Sequence, residues 1–140
     1  MGLTLAVAAN AGAQLRSEVR FDAVSAGSSQ HAEAGAGVGR ALGPYLRAGA
    51  TGAYDIVHAS GTKARARVEG HVRFLLDPLA AYRWGLSFAG GLGYHERPYL
   101  LVAADLEGPR MRGVRPAAQL ALGGGMRLGL LMRRAVPNRR

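Results

Sequence analysis

The residue types that could do chemistry in this 140-residue chain are four histidines, several serines, two glycine runs and many charged side chains. His31, His58, His71 and His95 share no metal-ligand spacing, and no H-E-x-x-H sequence occurs. Cysteine is absent, so a thiolate nucleophile, a disulfide framework and a cysteine-held metal are excluded. No serine sits in the G-x-S-x-G elbow that activates a hydrolase nucleophile. Gly35-Ala36-Gly37-Val38-Gly39 and Gly90-Gly91-Leu92-Gly93 resemble phosphate loops, but such a loop must open a helix. Gly43-Pro44 follows the first and Pro98 the second, so neither opens one. The expectation is no enzyme, no cofactor, no metal site and no identifiable small-molecule substrate.

The charged residues carry the pattern. Seventeen arginines and one lysine face nine acids, a net charge of +9. Nucleic acid, an anionic lipid surface, or an interior where arginines meet acids would each suit that balance. Spacing favours the interior. Arg16, Glu18, Arg20 and Asp22 alternate with Leu15, Val19, Phe21 and Ala23. Lys63, Arg65, Arg67, Glu69, His71 and Arg73 alternate with Ala64, Ala66, Val68, Val72, Phe74 and Leu76. Period-two alternation marks a strand with two unlike faces. The arginine stripe shares its face with glutamate and lacks base-stacking aromatics, so no nucleic-acid partner is expected. Followed along the chain, the charged face gives a candidate network of Arg16, Glu18, Arg20, Asp22, Glu33, Arg47, Asp55, Arg65, Arg67, Glu69, Arg73, Asp105, Glu107 and Arg127.

The elements that must position these groups are strands. The longest alternation, residues 117–134, sets Leu120, Leu122, Met126, Leu128, Leu130 and Met132 against glycine, alanine, Gln119, Arg127 and Arg133, and reads as one long final strand. Shorter alternations cover 14–26, 31–42, 45–57, 62–76, 83–95 and 99–107. Gly27-Ser28, Gly43-Pro44, Ser60-Gly61, Asp77-Pro78, Glu96-Arg97-Pro98 and a polar loop over 108–115 separate them. That makes about seven strands from Gln14, or eight if Thr4–Ala9 is a strand. Glycine, with 21 residues spread through the chain, disfavours helix, and no run of 18 apolar residues occurs. The fold class is all-β: an antiparallel up-and-down meander that closes into a small barrel of about eight strands, since closure removes both edges.

Two barrels share this alternation with opposite polarity. In one the apolar face surrounds a ligand. In the other it faces lipid, and the charges point inward. Gly35, Gly37, Gly39, Gly85, Gly91, Gly93, Gly123, Gly125 and Gly129 fall on the charged face. Serial glycines weaken a water-facing strand, but in a narrow lumen they make room for long side chains from other strands. Tyr45, Tyr82, Trp84, Tyr94 and Tyr99 lie near strand ends, where interfacial girdles sit.

With dyad alternation, inward charges as in Ala64-Arg65-Ala66-Arg67-Val68-Glu69, and Ala11-Gly12-Ala13-Gln14 near the start, the chain resembles the small eight-stranded outer-membrane β-barrel proteins of Gram-negative-type bacteria. The resemblance implies a monomer in the outer membrane with lipid as its partner. It would be a structural or adhesive element or a very narrow channel, with a lumen largely filled by side chains. The alternative is a soluble periplasmic lipocalin-like barrel that holds a small apolar ligand. Residues 1–13 read as a signal-peptide remnant, or as a first strand with Leu3, Leu5 and Val7 on one face. Residues 14–134 form the single barrel domain, and residues 135–140 continue a basic tail.

Overall fold

The structure is a computed structural model in which residues 15–57, 64–77 and 83–135 are described. Eight strands follow one another: β1 (Leu15–Ala26), β2 (Ser29–Ala41), β3 (Leu46–Val57), β4 (Ala66–Leu75), β5 (Gly85–His95), β6 (Arg97–Glu107), β7 (Val114–Leu122) and β8 (Met126–Ala135). Each pairs antiparallel with its sequence neighbour, and β1 pairs with β8, so the sheet closes into an up-and-down barrel. The strands run 9 to 13 residues, which suits tilted strands crossing a bilayer core.

One strand assignment changes and two boundaries move: β6 already begins at Arg97, inside the expected turn, and β7 at Val114, inside the expected loop 108–115. Residues 117–134 are a hairpin rather than one strand. Gly123, Gly124 and Gly125, with φ of 132°, 63° and 124°, turn the chain between β7 and β8. A three-residue turn keeps the parity of the alternation: Leu122 and Met126 both point outward on either side of it. The eighth strand therefore comes from splitting this segment. Thr4–Ala9, the Ala11-Gly12-Ala13 segment and the tail beyond 135 lie outside the described residues.

The apolar face is the outer one. Leu130 is 69% exposed and its neighbour Leu131 1%. Leu100, Leu92, Leu128 and Val68 are exposed in the same way on other strands. The face around the lumen holds charge and small residues instead. An apolar-lined ligand cavity of the lipocalin kind is thus absent among the described residues; the one buried apolar cluster is small, with Ala89, Leu101, Ala103 and Ala121 under Tyr99. Aromatics mark both ends of the outer surface. Tyr54 and Tyr94 stand near the hairpin β3–β4 and β5–β6 end, Trp84 at the other, where Tyr45 stacks on Phe74 at 6.0 Å.

Candidate functional site

The alternation of β1 to β8 aims one side chain in two into the lumen of an eight-stranded barrel, a space just wide enough for side chains to meet across it. Ten of the fourteen expected network residues are buried there: Arg20, Asp22, Glu33, Asp55, Arg67, Glu69, Arg73, Asp105, Glu107 and Arg127. Arg16, Glu18 and Arg47 are half-buried near the end where β1 starts.

Arg65 is a correction. It precedes β4, its side chain is exposed at the barrel mouth, and it pairs with Glu96 at 2.9 Å instead of with a lumen acid. Its backbone still bonds Asp55 in both directions, but at this level the lumen has opened into its mouth, and the guanidinium turns to Glu96 of the β5–β6 turn.

The network links both mouths. At its upper centre Asp22 accepts from Arg20 Nε at 2.8 Å and from Arg67 Nη2 at 3.0 Å. Arg67 also holds Glu33 and lies 3.4 Å from Glu69. Glu69 is met by Arg127 at 2.5 Å and accepts from the hydroxyls of Tyr99 at 2.5 Å and Thr51 at 3.4 Å. Arg20 donates to Gln119, which donates to Asp105 at 2.7 Å. Asp105 joins Arg73 and Arg133, and Glu107 joins Arg133 and, at 3.2 Å, Arg115. Arg133 also meets Glu18 at 3.0 Å.

Among the described residues the buried charge balances. Six arginines (Arg20, Arg67, Arg73, Arg115, Arg127, Arg133) stand among six carboxylates (Asp22, Glu33, Asp55, Glu69, Asp105, Glu107). Buried ions are costly unless paired and hydrogen-bonded, and this interior pairs its ions mostly by contacts across the lumen; Arg127 is the exception, ion-paired with Glu69 but with none of its guanidinium nitrogens in an aligned hydrogen bond among the described residues.

Several members were missed by sequence reasoning. Arg115 falls in the expected loop 108–115, and Arg133, on the inner face of the final alternation, is not among the fourteen expected residues, yet both are buried. Their odd numbering, in phase with Ala117, Gln119 and Leu131, was the available signal. Tyr99 read as a girdle aromatic, yet it points inward to Glu69. Gly93 explains how it fits: a Cβ there would lie 2.5 Å from Tyr99 Oη. Gly129 similarly leaves space for the Asp22 carboxylate, and Gly49 for His71. The inward glycines make room for a tyrosine, a histidine and a carboxylate rather than for arginines.

The mouth beside the β1–β2, β5–β6 and β7–β8 turns widens into a cavity of about 450 Å³ lined by Glu33, Asp55, Arg67, His95, Glu96 and Arg127, among others. His31 stands in its wall. Its Nε2 lies 3.1 Å from Glu33 Oε1 and 3.5 Å from Asp55 Oδ1, and its ring stacks on that of His95 at 6.2 Å. A smaller cavity of about 40 Å³ lies around Arg16, Glu18, His71 and Arg73, and the two share no lining residue.

No family model and no curated protein matches the chain. Solved structures do. The de novo designed protein TMB2.3, solved by solution NMR, superposes with a TM-score of 0.65 at 14% identity, covering 89% of this chain and 95% of that one. A second, from work described as de novo design of transmembrane beta-barrels, gives 0.62 at 13% identity over 88% and 95%. At such identity the likeness is one of fold: this chain has the closed up-and-down architecture of barrels designed to cross membranes.

Proposed function

We propose that this chain is a non-enzymatic barrel of the outer membrane of a Gram-negative-type bacterium, closed by its own side chains, with a structural or adhesive role. The observation that carries the reading is its inverted polarity. A belt of leucine, valine and phenylalanine faces outward, while paired charges fill the inside. In water that arrangement would expose the apolar surface and bury the ions, losing on both counts. In lipid the belt is solvated, and the closed sheet satisfies its backbone groups. The basic side chains Arg40, Arg83 and Arg134 stand exposed at one rim, near Trp84 and Tyr45, where headgroup phosphates would meet them.

The side-chain plug favours a closed barrel over a channel. Arg20, Asp22, Gln119 and Arg67 bridge the lumen between the two cavities. The test is refolding into detergent and then into planar bilayers. Expected are a heat-modifiable band on a detergent gel, partition with membranes, and conductance near baseline. Solubility without detergent would overturn the membrane reading. Steady single-channel currents would replace the plugged barrel by the very narrow channel.

A further inference from the structure

We propose that the mouth beside the β1–β2, β5–β6 and β7–β8 turns holds a divalent transition-metal site of the zinc class, built from His31, Glu33 and Asp55. It is independent of whether the barrel is a plug or a channel, and goes beyond that reading. The sequence shows no metal-ligand spacing, because the sheet assembles the site. His31 and Glu33 are two apart on the inner face of β2, and Glu33 pairs directly with Asp55 of β3. The register shifts between Ala32 and Glu33, where β3 carries one extra residue, Ile56. Bulges of this kind re-aim side chains beside functional sites.

The donor atoms converge. One atom from each of the three residues lies within 4.8 Å of the others. His31 Nε2 is 3.1 Å from Glu33 Oε1 and 3.5 Å from Asp55 Oδ1. Ligands about 2.0–2.2 Å from a tetrahedral zinc stand roughly 3.3–3.6 Å apart, so small side-chain movements would seat the ion.

The other oxygen of each carboxylate is already engaged. Glu33 Oε2 meets the Arg67 guanidinium, and Asp55 Oδ2 accepts the Arg65 backbone N–H at 3.1 Å. These contacts turn Glu33 Oε1 and Asp55 Oδ1 toward the imidazole, the orienting role that outer contacts play around metal ligands. Asp55 is 7% exposed, and its Oδ1 accepts no hydrogen bond from any described residue. A buried carboxylate oxygen with only an imidazole facing it is an open place for a cation. His95 Nδ1 is likewise buried without a hydrogen-bond partner among the described residues, one ring-stack from His31.

Three arginines line the same cavity, and each faces carboxylates outside the proposed triad: Arg65 meets Glu96 and Arg127 meets Glu69. The Arg67 charge is shared among Asp22, Glu33 and Glu69. No arginine side chain pairs with Asp55 among the described residues. A neutral imidazole and two carboxylates then offer one nitrogen and two oxygens with charge −2. That mixed set selects zinc-class ions over calcium, and the cavity of about 450 Å³ leaves room for a completing water.

The experiment uses untagged full-length protein refolded in detergent. Zinc binding is followed by titration calorimetry, and cobalt substitution by its visible d–d absorption. Expected is one zinc per chain, not displaced by excess calcium, with a higher thermal midpoint than in chelator. His31→Ala and Asp55→Asn should each weaken binding by at least about tenfold to a hundredfold. His71→Ala, at the other cavity, should leave it unchanged. Heat-modifiability checks that each variant folds, with His31→Gln replacing His31→Ala if it does not. Absence of zinc binding by the folded wild type would overturn the proposal. So would equal affinity in the folded His31 and Asp55 variants, or an equal loss in His71→Ala.

Discussion

Removal of Glu69 is the sharpest perturbation of the lumen. Its carboxylate is 3% exposed and takes contacts from Arg67, Arg127, Tyr99 and Thr51. The consequences for the two arginines differ. Arg67 keeps Asp22 and Glu33, so its charge stays compensated. Arg127 is buried, and Glu69 is its ion-pair partner among the described residues. Glu69→Ala would therefore strand a cation, which costs about 3–5 kcal/mol. Glu96→Ala is the control: Glu96 and Arg65 pair at 2.9 Å, but their side chains are 58% and 44% exposed, and such pairs contribute about 0–1 kcal/mol. With a urea slope of about 2 kcal/mol/M, Glu69→Ala should lower the unfolding midpoint in detergent by about 2 M, and Glu96→Ala by less than about 0.5 M. Adding Arg127→Met to Glu69→Ala should recover most of the loss, since the stranded charge goes with it. Equal, small effects of both single changes would refute the reasoning, because the inner face would then be in water.

The other expectations concern the outer face and the packing of the lumen. Leu130→Arg, at an outward position in the middle of β8, should destabilise the bilayer-inserted barrel by about 2–4 kcal/mol, read from folded fraction against urea in vesicles; a neutral result would put that face in water. Gly93→Ala should cost about 1–3 kcal/mol by driving a methyl into the Tyr99 ring, and much less when Tyr99→Ala is also present. A cost unchanged by Tyr99→Ala would mean that the strand itself, and not room for the ring, requires glycine.

The faces of this barrel were legible because alternation is a local property. From β2 onward the inner residues are odd-numbered, through every turn, and on β1 they are even. The β7–β8 turn was hidden by that regularity: three glycines fit the small-residue face of a continuing strand, and only their clustering hinted at a reversal. Ion-pair partners were not legible. Sequence reasoning seeks them on adjacent strands, but Arg67 of β4 reaches Asp22 of β1, and Arg133 of β8 reaches Asp105 of β6. In so narrow a barrel the opposite wall is as close as the next strand. The His31, Glu33 and Asp55 cluster was hidden for a related reason, since its third member arrives by register on β3.

The placement of charge accounts for the basic character of the chain. Six buried arginines against six buried acids leave nothing over in the sealed part of the lumen. A low-dielectric interior enforces that balance, because each unpaired ion there costs several kcal/mol. The surplus behind the net charge of +9 is thereby displaced to places where solvent or headgroups can meet it. Among the described residues Arg65 and Arg97 are exposed at the mouth beside the β5–β6 turn, and the larger group, Arg40, Arg83, Arg110, Arg112 and Arg134, is exposed at the opposite end, which carries the β2–β3, β4–β5 and β6–β7 connections. They are spread around the rim instead of gathered on one strand face. A partner that touches one side of the molecule would engage only some of them. In the proposed membrane setting a lipid layer would encircle the barrel and present phosphate to the whole ring, where long arginine side chains with apolar stems are best solvated.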